Sequence, residues 1–290
     1  MTGFSYAEMT TRNRGFVTAD EQERLRCAQV FIPGVGGMGG AALMALVRAG
    51  VGRFIVADLD TFEVSNLNRQ LFATLDTVGQ SKAAAARSGA LNINPDAEIE
   101  LLGGEWTEVA DRLVANSDVV VNGMDDAAAG VQLYRCARAK GRTVIDAYAS
   151  PLPSVTVVKA SAPRLEERLR YPTVGVPWRQ ITPEMRIDCL QREIEYVLTN
   201  SSSHRHVDLG VAAEVMAGKR SRFSFSTMVT MAGTMMAEEA VRVILGRKGG
   251  PDHRGYFFNP HRVRIERPLS APVAALRGLA VRRFMHRMMA

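Results

Sequence analysis

One stretch constrains this chain more than any other: VFIPGVGGMGG, Val30 to Gly40. A short apolar strand runs into glycines at GxGxxG spacing, Gly34, Gly36 and Gly39, and then into a helix over Gly40 to Ala49 rich in Ala, Leu and Met. Glycines let a backbone approach phosphates, and the helix N-terminus behind them supplies amide donors and the positive end of a dipole. Pro33 has no ladder donor, so it marks where the strand stops. Arg53 to Asp58 reads as the next strand, with Asp58 at the spacing of a ribose-binding carboxylate. The alternation continues with a helix at Ser81 to Asn92, a strand at Glu98 to Leu102, a helix at Glu105 to Ala115 and a strand at Asp118 to Asn122. A helix at Ala127 to Lys140 and a strand at Thr143 to Asp146 complete it. Such repetition predicts an α/β fold with a Rossmann-like, doubly wound, mostly parallel sheet.

The flanks read differently. Residues 12–27 form a polar lead-in helix, with Thr18 as N-cap and Glu21 completing a capping box. Beyond Pro151, Ser154 to Ala160 alternates like an exposed antiparallel strand. Residues 162–219 are charged, weakly periodic and too long for a simple loop, so they should hold helices. Thr227 to Leu245 is strongly helical, and GYFFN with HRVRIER predicts a closing antiparallel hairpin. The organisation expected is therefore a nucleotide-binding core over 1–160, a variable insert or crossover over 161–225, a helix and hairpin completing the core over 226–267, and a basic amphipathic tail over 268–290.

A GxGxxG loop alone is equally compatible with a ligand-free turn or a redox dinucleotide. The residues after Asp58 decide between these. A dinucleotide's diphosphate is matched by loop amides, whereas ATP poised for attack needs cations against three phosphates and against the charge growing on the leaving group. Arg69 and Lys82 supply cations. Asp125 and Asp126 lie beyond the strand SDVVVN, at the carboxyl edge where such sheets bind ligands, and a carboxylate there suits magnesium. Each has a plain alternative: a surface arginine, an early helix charge, a helix cap.

Taken together, RNRG (Arg12 to Gly15), GVGGMG (Gly34 to Gly39), DLDTFEVSNLNRQ (Asp58 to Gln70), VGQSK (Val78 to Lys82), INP (Ile93 to Pro95) and MDD (Met124 to Asp126) resemble the superfamily of ubiquitin-activating-type adenylating enzymes. Its bacterial members activate the sulfur-carrier proteins of thiamine and molybdopterin synthesis. The resemblance covers about the first 160 residues and resumes at GTMMAEEAVRVILG. It implies that Gly34, Gly36, Gly37 and Gly39 face the phosphates of ATP, and that Asp58 meets the ribose, with Asp60 and Asp126 among the nucleotide contacts. It further implies that Asn66, Arg69 and Lys82 contact phosphates, that Asp125 binds Mg2+, and that Arg14 reaches into a partner subunit's site. A homodimer is thereby implied, acting on a small ubiquitin-like or sulfur-carrier protein or a peptide. A substrate carboxylate is already ionised at neutral pH, so its attack on the α-phosphorus needs no side-chain base. Lys82→Ala, at what reads as a solvent-side helix lysine, should then cut activation far more than stability.

Two departures stand out. The family's frequent Asp-Asn is here Asp125-Asp126, and the paired CxxC zinc motifs of many bacterial relatives are absent. The segment RYPTVGVPWRQITPEMRIDCLQREIEY instead resembles a less characterised bacterial branch of the superfamily. Some members pass the acyl group to a cysteine. Of Cys27, Cys136 and Cys189, only Cys189 lies in the variable segment, with Arg186 and Arg192 nearby to lower its thiol pKa and Asp188 opposing them; a small buried cysteine is the plain alternative. His204 and His206 in SSSHRH read as a solvated loop without ligand spacing.

Composition bounds the rest. With 290 residues, 47% hydrophobic and 23% charged, the chain can bury a full core. No apolar run reaches membrane-spanning length, and the N-terminus lacks a secretory pattern, so a cytoplasmic location is expected. The net charge of +6 comes almost wholly from residue 261 onward, where seven arginines face one glutamate. Apolar residues at helical spacing among those arginines favour a helix docked on the body; membrane-surface or RNA contact is the alternative. The arginine-rich tail is also what favours a rival substrate, a tRNA-linked carboxylate, as in the relatives that dehydrate threonylcarbamoyladenosine. A catalytically silent binding half of a heterodimer, and last a nicotinamide oxidoreductase, are the remaining alternatives.

Overall fold

In the computed structural model, residues 3–216, 219–220 and 222–289 are described. The elements run α1 (Tyr6–Met9), α2 (Ala19–Cys27), β1 (Gln29–Pro33), α3 (Gly37–Arg48), β2 (Arg53–Ala57), α4 (Lys82–Leu91), β3 (Glu98–Leu102), α5 (Ala110–Asn116), β4 (Val119–Val121), α6 (Ala127–Ala139) and β5 (Val144–Asp146). Then come β6 (Ser154–Val158), α7 (Leu165–Arg168), α8 (Pro183–Asn200), α9 (Leu209–Met216), α10 (Ser226–Ile244), β7 (Tyr256–Asn259), β8 (Arg264–Glu266) and α11 (Ala271–Met289).

The sheet order is β3-β2-β1-β4-β5-β6-β7-β8, parallel through β5 and antiparallel beyond it. The order reverses between β1 and β4, and the crevice at their carboxyl ends is where an open α/β sheet binds its ligand. The Val/Ile/Phe strands β1, β2 and β4 are buried on both sides, as parallel strands covered by helices must be. One face packs on α3 and α10 through Leu43, Leu46, Val47, Met236 and Ala240. The other packs on α5 and α6, where Phe31 meets Trp106 edge-on at 5.7 Å. A side chain at Gly233 would strike the Met38 carbonyl and the Ala41 Cβ, so this glycine lets α10 ride directly on α3.

Several local expectations change. The lead-in helix starts at Ala19, because Gly15 (φ 103°) breaks the chain after a short 3-10 turn at Thr11–Asn13; the Thr18–Glu21 capping box is present. Helix α3 begins at Gly37, inside the glycine loop. The helix expected over 105–115 divides into a 3-10 turn at Gly104–Glu108 and α5. β6 is buried throughout, not exposed, since β7 and β8 extend the sheet past it. Its polar residues are satisfied inside: Ser154 Oγ accepts from the Tyr148 N–H at 3.0 Å, and Thr156 Oγ1 donates to the Asp146 carbonyl at 3.3 Å. The 162–219 segment holds α7, α8 and α9, while the basic tail forms α11 and docks on α8. Arg277 donates to the carbonyls of Leu198 (3.1 Å) and Ser201 (2.7 Å), and Arg282 pairs with Glu195.

Candidate active site

The switch-point crevice opens into a cavity of about 1150 Å³. At its base the β1–α3 and β4–α6 loops touch backbone to backbone. Gly34 sits at φ 81°, and a Cβ there would lie 2.6 Å from the Gly123 carbonyl carbon; a Cβ on Gly39 or Gly123 would land on the Gly34 oxygen. Those three glycines are required by packing. Gly36 differs, because nothing but the Gln70 side chain, 3.5 Å off, would meet its Cβ. Gly37 turns its open side to α10, where Val229 Cγ1 would be 2.6 Å away, so what it can offer a ligand is its N–H. Gly37 and Met38, in the first turn of α3, border the cavity with N–H groups that no intrahelical carbonyl reaches, a cradle for anionic oxygens.

Asp58 closes this loop from β2. Its Oδ2 accepts from the Val35 N–H (2.9 Å) and its Oδ1 from the Asp60 N–H (3.0 Å), leaving lone pairs toward the cavity it lines. Lys82, the first residue of α4 behind the Ser81 cap, donates to Asp60 Oδ2 at 2.9 Å. Lys82 is 8% exposed and faces the cavity, a correction to its reading as a solvent-side lysine. Arg69 lies after the 3-10 turn Val64–Asn66, with Nη1 donating to Ser65 O (2.9 Å) and Asn68 Oδ1 (2.8 Å). Asn66 is buried, its Oδ1 accepting from the Glu63 N–H at 3.1 Å. Arg69, Lys82 and Asp125 all border the same cavity as the glycine loop. Asp125 makes no hydrogen bond or ion pair among the described residues, whereas Asp126 is committed to the fold. Its Oδ1 caps α6 at the Ala129 N–H (2.7 Å) and its Oδ2 pairs with Arg186, so the plain alternative of a helix cap is what Asp126 does.

Other expectations fail on burial. Cys189 is 1% exposed on the inner face of α8, and burial pushes its thiol up to about 12, the reverse of what a thioester acceptor needs. Arg186 and Arg192, expected to activate it, are paired with Asp126 and Asp188. The SSSHRH loop is solvated only in part: Ser201, Ser202 and Ser203 are buried, His204 and His206 are half-buried, and His206 stacks on His261 with ring centroids 4.4 Å apart. No group of three potential metal ligands occurs among the described residues. Arg14 is exposed and does not line the cavity of its own chain.

Some neighbours carry no signal in the sequence, among them Gly123, which packs against the Gly34 carbonyl. Gln70 belongs to a recognised motif, yet its Oε1 is buried, unpartnered and beside Gly36. A side chamber of about 340 Å³ shares Asp125, Tyr148, Ile187, Leu190 and Arg222 with the main cavity. It is walled by Asp146, pushed up to about 6 by burial against hydrogen bonds from Tyr134 and Asn122, and by Glu193, also raised by burial. Asp146 ends β5 and Glu193 lies within α8, and no local spacing signals their approach.

Known proteins resemble this chain. The ThiF family matches residues 10–273. Over 139 residues the chain is 37% identical to the molybdopterin-synthase adenylyltransferase of Escherichia coli, covering 46% of this chain and 55% of that one. Over 111 residues it is 40% identical to the sulfur carrier protein adenylyltransferase of Thermus thermophilus (38% and 41% covered). Over 98 residues it is 40% identical to the tRNA threonylcarbamoyladenosine dehydratase of Bacillus subtilis (34% and 39%). The chain thus matches about half or less of these curated relatives. Among solved structures, PaaA superposes with a TM-score of 0.63 at 20% identity over 93% of this chain and 86% of that one. E. coli MccB with ATP gives 0.60 at 16% identity over 86% and 66%. At those identities the likeness speaks for the fold. The family match over most of the chain, on a Rossmann-like sheet with its glycine loop at the switch point, leads to one conclusion: this chain belongs to the ThiF family.

Proposed function

We propose that this chain binds ATP at the switch-point cavity and adenylates a carboxylate, most simply the C-terminus of a small carrier protein or a peptide. The observation that carries the reading is the convergence of Arg69, Lys82 and Asp125 on one cavity with the free first-turn N–H groups of α3. A nicotinamide site would give that set of phosphate-seeking cations no task. The buried, unpartnered Gln70 Oε1 fits a ligand donor near Gly36, such as a ribose hydroxyl or a purine amino group. In the adenylation, a substrate carboxylate oxygen bonds to the α-phosphorus while the bond to the bridging oxygen breaks, and pyrophosphate departs with that electron pair.

The residues present fit this chemistry by positioning and charge. Arg69 and Lys82 hold phosphate oxygens and stabilise the departing pyrophosphate, and Asp58 accepts from ribose. Asp125 alone suits magnesium, which is commonly held by one or two carboxylates together with substrate phosphates and would neutralise phosphate charge. Arg14, distant from its own cavity, would complete the site of a second copy in a homodimer. Asp126 and Cys189 have no part in the reading.

ATP–pyrophosphate exchange tests it, with carrier proteins ending in Gly-Gly, short peptides and unfractionated tRNA as separate arms. Exchange dependent on a protein or peptide C-terminus is expected. Exchange with tRNA alone would move the substrate to RNA, and none with any arm would contradict adenylation. The RNA arm is disfavoured because Arg277 and Arg282 of the tail helix serve the fold, the first on backbone carbonyls and the second on Glu195.

A further inference from the structure

The cavity is larger than the roughly 300–1,000 Å³ of a typical small-ligand site, and its excess is apolar. Beyond the nucleotide end it continues as a wing between α8 and α9. From α8, Ile187, Leu190 and Ile194 point into it at i, i+3 and i+7 spacing. From α9, Leu209, Ala212 and Val215 face them, and Phe284 of the docked tail helix adds a wall. Cys189 of the same helix is turned away into a separate core cluster, while Gln191 adds one polar side chain to the lining. Ile187 remains 56% exposed and Leu209 40%, so the two helices leave part of this apolar lining open to solvent. Asp125 and Arg222, a guanidinium with no ion pair among the described residues, line the same cavity as the wing and border its side chamber as well.

Resting on the adenylation reading, we propose that the carboxylate activated here carries a bulky apolar group: a peptide whose last residue is Leu, Ile or Phe, its side chain seated in the α8–α9 wing and its carboxylate toward Arg222. Continuity of the wing with the nucleotide end identifies the occupant, because whatever fills the wing lies next to the reacting phosphate. A Gly-Gly terminus has no side chain to offer and would leave both helix faces wet. Burying one Leu side chain is worth a factor of at least about ten in affinity.

Two hexapeptides identical except for a terminal Ala-Leu or Gly-Gly, compared in ATP–pyrophosphate exchange, test the proposal. The Ala-Leu peptide is expected to reach half-maximal exchange at a concentration at least about tenfold lower. Ala212→Phe, which fills the wing, should raise that concentration about tenfold and erase the preference. A preference for Gly-Gly, or equal response to both peptides, overturns the proposal without touching adenylation. Direct binding of fluorescein-labelled Ala-Leu peptide separates the two readings. If neither peptide supports exchange, labelled peptide bound by the wild type and released by unlabelled Ala-Leu but not Gly-Gly peptide keeps the wing's specificity while adenylation fails. Absence of that binding ends the proposal. The wild-type comparison stands even if Ala212→Phe does not fold.

Discussion

Lys82 shows how one residue joins fold and chemistry. At 8% exposure its ammonium needs a partner, and Asp60 provides one at 2.9 Å while the cavity lies open beside the pair. Because the stem is buried, Lys82→Met, which keeps the packing, is a cleaner test than truncation to alanine. It should change unfolding free energy by less than about 1 kcal/mol, since Asp60 is well exposed and is not left stranded. Exchange should fall by about 10²–10³-fold, as for loss of a preorganised charge at the reacting centre. Chemical denaturation and exchange on the same preparation check both. That Lys82, Arg69 and Asp125 border one cavity is legible in the sequence, because their motifs follow the strands whose carboxyl ends form it. The burial of Lys82 is not, since Asp60 reaches it through a loop that no helical or strand period describes. Cys189 failed for a related reason: sequence neighbours Arg186 and Arg192 are close along the helix, yet their charges are spent on Asp126 and Asp188.

Among the elements, the parallel core was readable from alternation alone, because strands covered by helices are continuous apolar runs and their helices carry a distinct period. β6 was misread because Ser154 and Thr156 mimic a solvent face; inside the sheet their hydroxyls are satisfied by backbone. The SSSH segment was misread likewise. Ser202 is held by Glu266 of β8, whose carboxylate accepts from the Ser202 N–H (2.6 Å), Ser202 Oγ (2.7 Å) and Asn259 Nδ2 (2.8 Å) and faces Arg264. These bonds overcome burial and hold the Glu266 carboxyl down at about 2. A depressed folded-state value means that its stabilisation is present above the ordinary glutamate range and is lost as pH falls toward 2. Glu266→Gln should therefore lower Tm at pH 7, and its deficit against wild type should shrink progressively between about pH 4.5 and pH 2. A Tm deficit constant across that window would contradict the clamp.

For the whole molecule, the eight-stranded order places the glycine loop, the cations and Asp125 at one switch point, while α8 to α11 enclose the adjoining wing. No helix among the described residues is long and apolar enough to cross a membrane. In the homodimer proposed above, Arg14, outside its own cavity, would complete the site of the second copy. Arg14→Ala and Lys82→Met, each inactive alone, should recover roughly a quarter of wild-type exchange when mixed and allowed to exchange subunits, since half the dimers then hold one complete site. No recovery, with mixed dimers demonstrated by mass, would remove Arg14 from the neighbouring site. The central claim, that the crevice is built to grip a triphosphate, is met most directly by calorimetric titration of ATP, AMP and NADH into wild type, Arg69→Ala and Lys82→Met. The account predicts that wild type binds ATP much more tightly than AMP and that either substitution abolishes the difference. Equal affinity for ATP and AMP, or tighter binding of NADH than of ATP, would contradict it.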